Sequence, residues 1–299
     1  STVKFRPNPD SSNSEFFLHG ENLTFLSAYI NGAAVTPIKS EAGLTCNVPD
    51  DPFIWQSEVE INPSANTELS GLYMSNGMFC TQCEAEGFRR ITYYPDRPDV
   101  MAPFDVTIHS NLPYALSNGE PMRDEGQTRR WQDPWPKPAY LFALVAGEFQ
   151  VVSDHFTTAS GKPVDLNIYV RDGDQGKCAF ALEALKASMA WDERVYGREY
   201  DLSVFNIVAV DDFNMGAMEK KGLNIFNSSA VLASPETTVD GNFERIEAII
   251  AHEYFHNWTG NRITCRDWFQ LCLKEGLTVF RDQQFSADMR GAEVRRIED

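Results

Sequence analysis

Two histidines four residues apart are the strongest chemical signal in this 299-residue sequence, at positions 252 and 256. Residues at this spacing lie one turn apart on one face of an α-helix, so His252 and His256 can offer imidazole nitrogens to a single metal ion. Glu253 follows the first histidine and can act on a metal-bound water, whose pKa zinc lowers from near 15.7 to about 7. A catalytic zinc takes three protein ligands and leaves one position open. Glu275 is the candidate third ligand, and the sequence predicts one Zn²⁺ per chain.

The residues before these histidines indicate a helix that is anchored in a core. Apolar side chains recur at three- and four-residue steps over positions 243, 246, 249 and 250, which is the spacing of one buried helix face. Gly260 is the expected C-terminal stop of this helix. The competing interpretation is a pair of surface histidines on an ordinary helix. It is disfavoured because the chain has only five histidines.

The charge of the chain excludes some classes of partner. The formal net charge is -17 at pH 7 and the isoelectric point is near 4.7, and no cluster of lysines or arginines offsets the excess of acid. Nucleic-acid phosphates and anionic membrane surfaces are therefore not expected as partners. The cationic amino end of a peptide suits such a chain. Nothing in the sequence indicates an oligomeric state.

The cysteines and the apolar runs predict a cytoplasmic protein. Six cysteines are scattered along the chain, which is sparse for a disulfide framework and favours a reducing compartment. Cys80 and Cys83 form an isolated C-x-x-C, interpreted as incidental thiols rather than as a redox pair or half a zinc site. No segment reaches the roughly 18 apolar residues of a membrane span, and Ser1–Phe5 does not resemble a signal peptide.

The first half of the sequence predicts strands and turns without a long helical period. Strand signals occur at Leu26–Ile30, Ala33–Ile38 and Phe104–His109. Asn31-Gly32 between the first two is a hairpin turn signal. Segment 131–138, rich in Trp and Pro, is interpreted as a rigid connection between layers rather than as a polyproline ligand. These features predict an antiparallel sheet domain over residues 1–148.

The second half mixes helix and strand patterns. Strands are predicted over 140–152, 164–170 and 202–210, and a helix over 177–196. Gly197 is expected to end that helix, and Met189 is expected in its buried face. Segment 211–222 contains glycines that let another backbone approach closely. Residues 149–299 therefore predict an α+β domain, and the boundary is placed near 148.

Two signatures together resemble the aminopeptidase N family of zinc metallopeptidases, its bacterial members in particular. One is His-Glu-x-x-His followed after 18 residues by Glu275, and the other is Gly-Ala-Met-Glu at Gly216–Glu219. The similarity continues through Cys80–Gly87 and Asn257–Arg262. It implies a multidomain fold, with a β-rich antiparallel N-terminal domain followed by a partial α+β, thermolysin-like catalytic domain. That family continues through further domains, so we expect the second domain to be truncated at its C-terminal end. The sequence enters partway through the first sheet, so we also expect the first domain to be incomplete at its start.

The resemblance also implies roles for individual residues. His252, His256 and Glu275 hold zinc, and Glu253 is the general base. Glu219 grips the free α-amino group of the substrate, and Glu84 joins that grip with Gln82 beside it. The remaining matches are Gly216, Ala217 and Met218, in the strand beside the substrate backbone, and Met215, which lines the first side-chain pocket. The implied activity is zinc-dependent hydrolysis of the N-terminal residue from peptides with a free N-terminus.

Elementary electrostatics agrees with an amine grip of this kind. An α-ammonium with a pKa of roughly 7.7–8.0 is mostly charged at neutral pH, and carboxylates are its natural partners. Two carboxylates about one residue from the metal would place the first peptide carbonyl at the zinc. Two alternatives remain open from the residues alone. They are a thermolysin-like endopeptidase, which needs no amine anchor, and a metal-binding module without catalysis.

The sequence departs from the family pattern in two places. Lys220 stands where the family has Asn after the Gly-x-Met-Glu segment, and its ammonium is expected either to point to solvent or to pair with a nearby carboxylate. Family members also use a tyrosine well downstream of the third ligand to stabilise the oxyanion, and no tyrosine here matches it by motif. The chain by itself is therefore expected to be weakly active or inactive. Asp282 is expected to be a helical surface acid rather than a residue that orients a ligand.

Overall fold

The computed structural model of the protein describes residues 1–8 and 15–298. Up to Gly147 the described chain consists of strands joined by turns and short 3-10 segments (Pro63–Ala65, Phe88–Arg90, Ala139–Leu141). The strands are β1 (Thr2–Phe5), β2 (Phe16–His19), β3 (Thr24–Ile30), β4 (Ala33–Ala34), β5 (Ile38–Lys39), β6 (Gly43–Cys46), β7 (Phe53–Glu60), β8 (Gly71–Ser75), β9 (Met78–Gln82), β10 (Met101–His109), β11 (Tyr114–Ser117), β12 (Glu120–Glu125), β13 (Thr128–Pro138) and β14 (Leu144–Gly147). The predicted β-rich N-terminal region is confirmed.

These strands pair antiparallel in small sheets. The strand orders are β1-β7-β3-β4, β2-β6-β5, β11-β14-β9-β8 and β10-β13-β12. The predicted hairpin turn is present, because Asn31 and Gly32 both have positive φ (50° and 81°) and Ile30 pairs with Ala33. The returning strand is shorter than predicted, since Ile38 joins β5 in a different sheet.

Two expectations for this region are wrong. Residues 131–138 are not a connection but part of β13, where Trp131 pairs with Val106 of β10 and is buried. The apolar run 140–152 is not one strand. It contains the end of a 3-10 segment, then β14, then the start of the next strand in another sheet. An apolar run that is buried on both sides has no alternation, so its pattern does not reveal where the chain changes sheet.

From Gln150 onward helices join the strands. The elements are β15 (Gln150–Thr157), β16 (Pro163–Val170), α1 (Ala179–Tyr196), β17 (Val204–Val210), β18 (Ala217–Met218), β19 (Leu223–Asn227), α2 (Asp240–Phe255), α3 (Leu271–Arg290) and α4 (Ala292–Glu298), with 3-10 turns at Gln175–Lys177, Ser228–Ala230 and Trp268–Gln270. The sheet order is β15-β16-β17-β19-β18, with β16, β17 and β19 mutually parallel. Helix α1 ends at Gly197 (φ 63°), as predicted, and Met189 is buried.

This mixed sheet lies between the helices and the N-terminal strands. Along β17, Ile207 and Ala209 pack with the helices, whereas Val208 and Val210 face a second cluster that contains Leu141 and other residues of the N-terminal region. Successive side chains of β17 therefore point into two different cores, and this strand connects the packing of the two halves of the chain. Within residues 1–8 and 15–298, no helix combines the length and the apolar character that a membrane crossing requires.

Candidate active site

Helices α2 and α3 bring the three predicted metal ligands together. The Nε2 atoms of His252 and His256 lie 2.9 Å apart, and Oε2 of Glu275 lies 3.3 Å from each of them. Ligands at about 2.0–2.1 Å from a tetrahedral zinc are separated by about 3.3 Å. Two nitrogens and one carboxylate oxygen at this spacing therefore fit a zinc ion.

The other imidazole nitrogens are occupied by groups that fix the ring orientation. Nδ1 of His256 donates to the carbonyl oxygen of Thr259 at 2.8 Å, which leaves Nε2 of the neutral ring as the acceptor. Nδ1 of His252 lies 2.7 Å from Oδ2 of Asp282. Asp282 is only 9% exposed, so the expectation of a surface acid is wrong. The sequence contained a signal for this contact, because Asp282 lies seven residues after Glu275 and therefore on the same face of α3.

The end of α2 differs from the expectation in a way that matters for His256. The helix ends at Phe255, with His256 as its C-cap, and not at Gly260. The chain then folds back, because the backbone N–H of Asn261 donates to the carbonyl of His256 at 2.9 Å. Gly260 has a φ of 142°, and a Cβ there would lie 2.8 Å from Nδ1 of His256. Glycine at 260 therefore lets the loop pass closely around the imidazole of His256.

The electrostatics of the three ligands favour positive charge between them. Burial would lower the pKa of His252, but its hydrogen bonds to Asp282 and Glu275 outweigh burial and raise the pKa to about 10. Burial would also lower the pKa of His256, yet the charge of Glu219 and the bond to Glu275 raise it. Burial alone would raise the pKa of Glu275, but hydrogen bonds from both imidazoles hold it well below its usual range. A divalent cation suits such a cluster better than protons do.

Glu253 has the properties of a proton acceptor. It is 7% exposed, and among the described residues its Oε2 atom has no hydrogen-bond partner. Burial raises the pKa of this carboxyl to about 7, partly offset by the two histidines.

A second group of side chains could also hold a metal ion, because ligand atoms of Glu219, Glu253 and His256 lie within 4.8 Å of one another. We favour the ligand set with Glu275, because its Oε2 lies 3.3 Å from Nε2 of both histidines, whereas Oε1 of Glu219 is bound by a lysine.

That lysine joins the two acids predicted to grip an amine. Glu84 follows β9, Glu219 follows β18, and their Oε1 atoms lie 2.8 and 2.6 Å from Nζ of Lys274. Nζ is also 3.2 Å from Oε1 of Glu275. Sequence reasoning missed Lys274, although it directly precedes the third metal ligand. The structure thus brings Glu84 and Glu219 to one ammonium group beside the metal ligands.

A single cavity of about 370 Å³ connects these groups. Its lining includes Glu84, Met215, Ala217, Glu219, His252, Glu253, His256 and Glu275, and also Ala85, Trp268 and Leu271. Three predicted residues do not line it. Gln82 is buried and its Nε2 donates to the sulfur of Met215 at 3.3 Å. Met218 packs into a core, and Gly216 accepts a backbone bond from Asn227.

Lys220 follows neither of the two courses expected for it. It is 1% exposed, and its Nζ donates to the backbone carbonyls of Phe142 at 3.2 Å and Tyr140 at 3.4 Å. Successive residues point to opposite sides of an extended chain, so Glu219 faces the cavity while Lys220 faces the N-terminal region. Burial lowers the pKa of this ammonium, and the neighbouring Cys83 and Glu219 oppose the shift.

Comparison with known proteins identifies the family. The peptidase M1 N-terminal domain matches residues 1–141, and the peptidase family M1 domain matches residues 180–298. The chain belongs to peptidase family M1. The resemblance drawn from the two motifs is therefore confirmed, and M1 aminopeptidases are zinc metallopeptidases.

The relatives of this M1 chain include aminopeptidase N from Caulobacter vibrioides, 57% identical over 96% of this chain and 34% of the relative. Aminopeptidase N from Escherichia coli K12 is 53% identical over the same shares. A crystal structure of Legionella pneumophila aminopeptidase A in complex with aspartic acid superposes with a TM-score of 0.96 at 39% identity, covering all of this chain and 37% of that one. The chain therefore spans about a third of the length of the relatives it matches.

Proposed function

We propose that the protein carrying this chain is a zinc-dependent aminopeptidase that removes the N-terminal residue from peptides. One zinc ion per chain would be held by His252, His256 and Glu275. The observation that carries the proposal is the shared cavity, in which an acid pair suited to an ammonium lies directly beside the metal ligands. The carboxylate of Glu275 faces the imidazoles through Oε2 and Lys274 through Oε1. The proposed amine site and metal site therefore share the carboxylate of Glu275 and lie next to each other.

The chain's own groups divide the chemistry between binding and proton transfer. Glu84 and Glu219 bind the substrate α-ammonium, which places the first peptide carbonyl beside the histidines. Zinc, when bound, supplies Lewis acidity that polarises this carbonyl and acidifies water. Glu253 accepts the proton of the attacking water at its unpartnered oxygen and delivers it to the leaving nitrogen. Its burial keeps its basicity high enough for both transfers.

The neighbouring backbone supports a peptide as the substrate. Strand β18 (Ala217–Met218) is the last strand in the order of its sheet and pairs with β19 on one side. An edge strand of this kind can pair with an extended peptide through its other side. Met215, half exposed at the cavity, is proposed to line the first side-chain pocket.

Two further assignments belong to the same proposal. We propose a domain boundary at residues 148 and 149, supported by the change of sheet between β14 and β15. We also propose a cytoplasmic location, supported by six cysteines that are all free thiols.

The activity test compares twin peptides in the complete protein. A free-amine peptide and its N-acetylated twin are incubated with the zinc-loaded protein, and release of the first residue is measured. We expect cleavage of the free-amine peptide alone. Equal cleavage of both twins would rule out an aminopeptidase and would favour an endopeptidase.

A variant pair tests the amine grip itself. Glu219→Ala removes a charge-assisted contact worth about 1.5–3 kcal/mol, so kcat/KM for the free-amine peptide should fall by about ten- to hundredfold. Glu148→Ala is the matched control, because Glu148 is an exposed carboxylate outside the cavity. An endopeptidase would barely respond to either change.

A further inference from the structure

Lys274 is a buried cation that contacts both parts of the proposed site, the acid pair Glu84 and Glu219 and the metal ligand Glu275. Its side chain is fully buried. Its Nζ lies 2.8 Å from Glu84 Oε1, 2.6 Å from Glu219 Oε1 and 3.2 Å from Glu275 Oε1. The ammonium donates hydrogen bonds to Glu84 and Glu219, and its contact with Glu275 is an ion pair. The ammonium also lies 5.0 Å from the ring centroid of Tyr140.

The three carboxylates come from separate parts of the chain. Glu84 follows β9 in the N-terminal region, Glu219 follows β18 at the edge of the mixed sheet, and Glu275 lies on α3. Glu219 is buried, the side chain of Glu84 is 13% exposed and that of Glu275 is 36% exposed. Three carboxylates this close repel one another unless a cation lies between them. Lys274 is the cation that contacts all three, and it joins three elements that share no local sequence.

The contacts also leave one oxygen of each acid free of Lys274. Oε2 of Glu275 faces both imidazoles at 3.3 Å. Oε2 of Glu84 and Oε2 of Glu219 are likewise not used by the lysine. The pair Glu84–Glu219 has a formal charge of -2, and Lys274 reduces it to -1. A residual negative charge of this size suits a single substrate ammonium.

We infer that Lys274 is a positioning residue that fixes the amine subsite relative to the metal ligands. Its ammonium holds Glu84 and Glu219 in place for the substrate amine and ties them to Glu275. The inference rests on the proposed function, because it assigns to Lys274 the one-residue spacing that an aminopeptidase requires. It predicts that loss of Lys274 weakens recognition of the free amine more than it weakens recognition of the rest of the substrate.

The test uses Lys274→Met in the complete, zinc-loaded protein. We measure kcat and KM for a free-amine dipeptide and for its des-amino analogue, and we take the ratio of the two kcat/KM values as the amine discrimination. We expect this discrimination to fall by about tenfold or more, since charge-assisted contacts to two carboxylates lose their anchor. The loss should lie mainly in KM. Calorimetry of leucinamide against N-acetyl-leucinamide gives a second readout that does not depend on turnover, and leucinamide binding should weaken by a similar factor.

Lys220→Met is the matched control. Lys220 is also a buried lysine near the cavity, but among the described residues its Nζ donates to backbone carbonyls and pairs with no carboxylate. We expect its amine discrimination to stay within about twofold of the unmodified protein, because no charge-assisted contact to a carboxylate is removed. Should Lys274→Met fail to fold, Lys274→Gln removes the charge with a polar side chain and carries the same test.

The outcomes separate the inference from the function on which it rests. Unchanged discrimination in a folded, zinc-loaded Lys274 variant overturns the inference alone. Absence of discrimination in the unmodified protein overturns the proposed function and the inference together, since no amine subsite would exist to be positioned. An equal loss in the Lys220 control would also overturn the inference, because the effect would then follow any buried lysine.

Discussion

Asp282 offers a sharp test of how the metal site is built. Its Oδ2 lies 2.7 Å from Nδ1 of His252, and the residue is almost completely buried. A carboxylate in this position fixes the ring and makes Nε2 a stronger donor to a metal. Asp282→Asn keeps the shape of the side chain but removes the charge. We expect the zinc dissociation constant to rise by about tenfold to hundredfold, which corresponds to about 1.4–2.7 kcal/mol of binding free energy.

Two effects of Asp282 oppose each other in this measurement. The carboxylate would stabilise a zinc ion bound at His252, but it also helps to raise the pKa of His252 to about 10 and so favours a competing proton. The divalent ion has twice the charge of the proton and gains more from the same carboxylate. The net effect of Asp282→Asn should therefore be weaker zinc binding, and the loss should grow as the pH rises and the competition from protons falls.

The assay is competition with a calibrated chelator, which needs no turnover. Asp288→Asn is the matched control: Asp288 lies further along α3 and accepts a hydrogen bond from Trp191 at 2.7 Å, away from the histidines. Thermal unfolding of both variants checks that they remain folded. If zinc affinity in folded Asp282→Asn stays within about twofold of the unmodified protein, the assignment of Asp282 as an orienting partner is wrong.

Three other predictions follow from single side chains. Glu253→Gln removes the proton acceptor but leaves the ligands, so turnover should fall by about 10²–10⁴-fold at unchanged zinc content by metal analysis; turnover above a tenth of the original would contradict this. Burial raises the pKa values of Cys80 and Cys83 to about 12, whereas Cys272 is exposed. A thiol reagent near neutral pH should therefore label Cys272 first by mass spectrometry, and equal labelling of Cys83 would refute the burial argument. Lys220→Asn should change KM for a free-amine peptide by less than about tenfold, since Lys220 contacts no carboxylate; recovery of turnover from an inactive protein would instead favour the non-catalytic alternative.

Features that depend on local periodicity were predictable from the sequence. The i, i+4 spacing of His252 and His256 places them on one helix face whatever surrounds the helix, and the structure has them there. Helix α1 was predicted to within two residues at its start, and Gly197 ends it. These properties depend on the backbone geometry of a few consecutive residues, which sequence patterns report directly.

Contacts between distant residues were not predictable. Lys274 and Glu84 are 190 residues apart in sequence, and no pattern in either segment points to the other. The same applies to Lys220, whose partners are carbonyls about 80 residues earlier. The direction of the Lys220 side chain depends on which side of its segment packs against the N-terminal region, and the local sequence does not show this. The interpretation of Gly260 failed for a similar reason. This glycine was predicted to end the helix, but it is needed because the backbone passes close to His256.

The site therefore has a local part and a non-local part. The proposed metal ligands lie on or at the end of α2 and on α3, which contact each other directly, so we expect metal binding to survive changes elsewhere that keep these helices packed. The proposed recognition of a chain end involves Glu84 in addition, and Glu84 follows a strand of the N-terminal region that shares a core with the mixed sheet. Perturbing that core should loosen the selectivity for a free amine before it releases the metal. We therefore expect the proposed aminopeptidase to lose its preference for a free amine before it loses the ability to hydrolyse peptides.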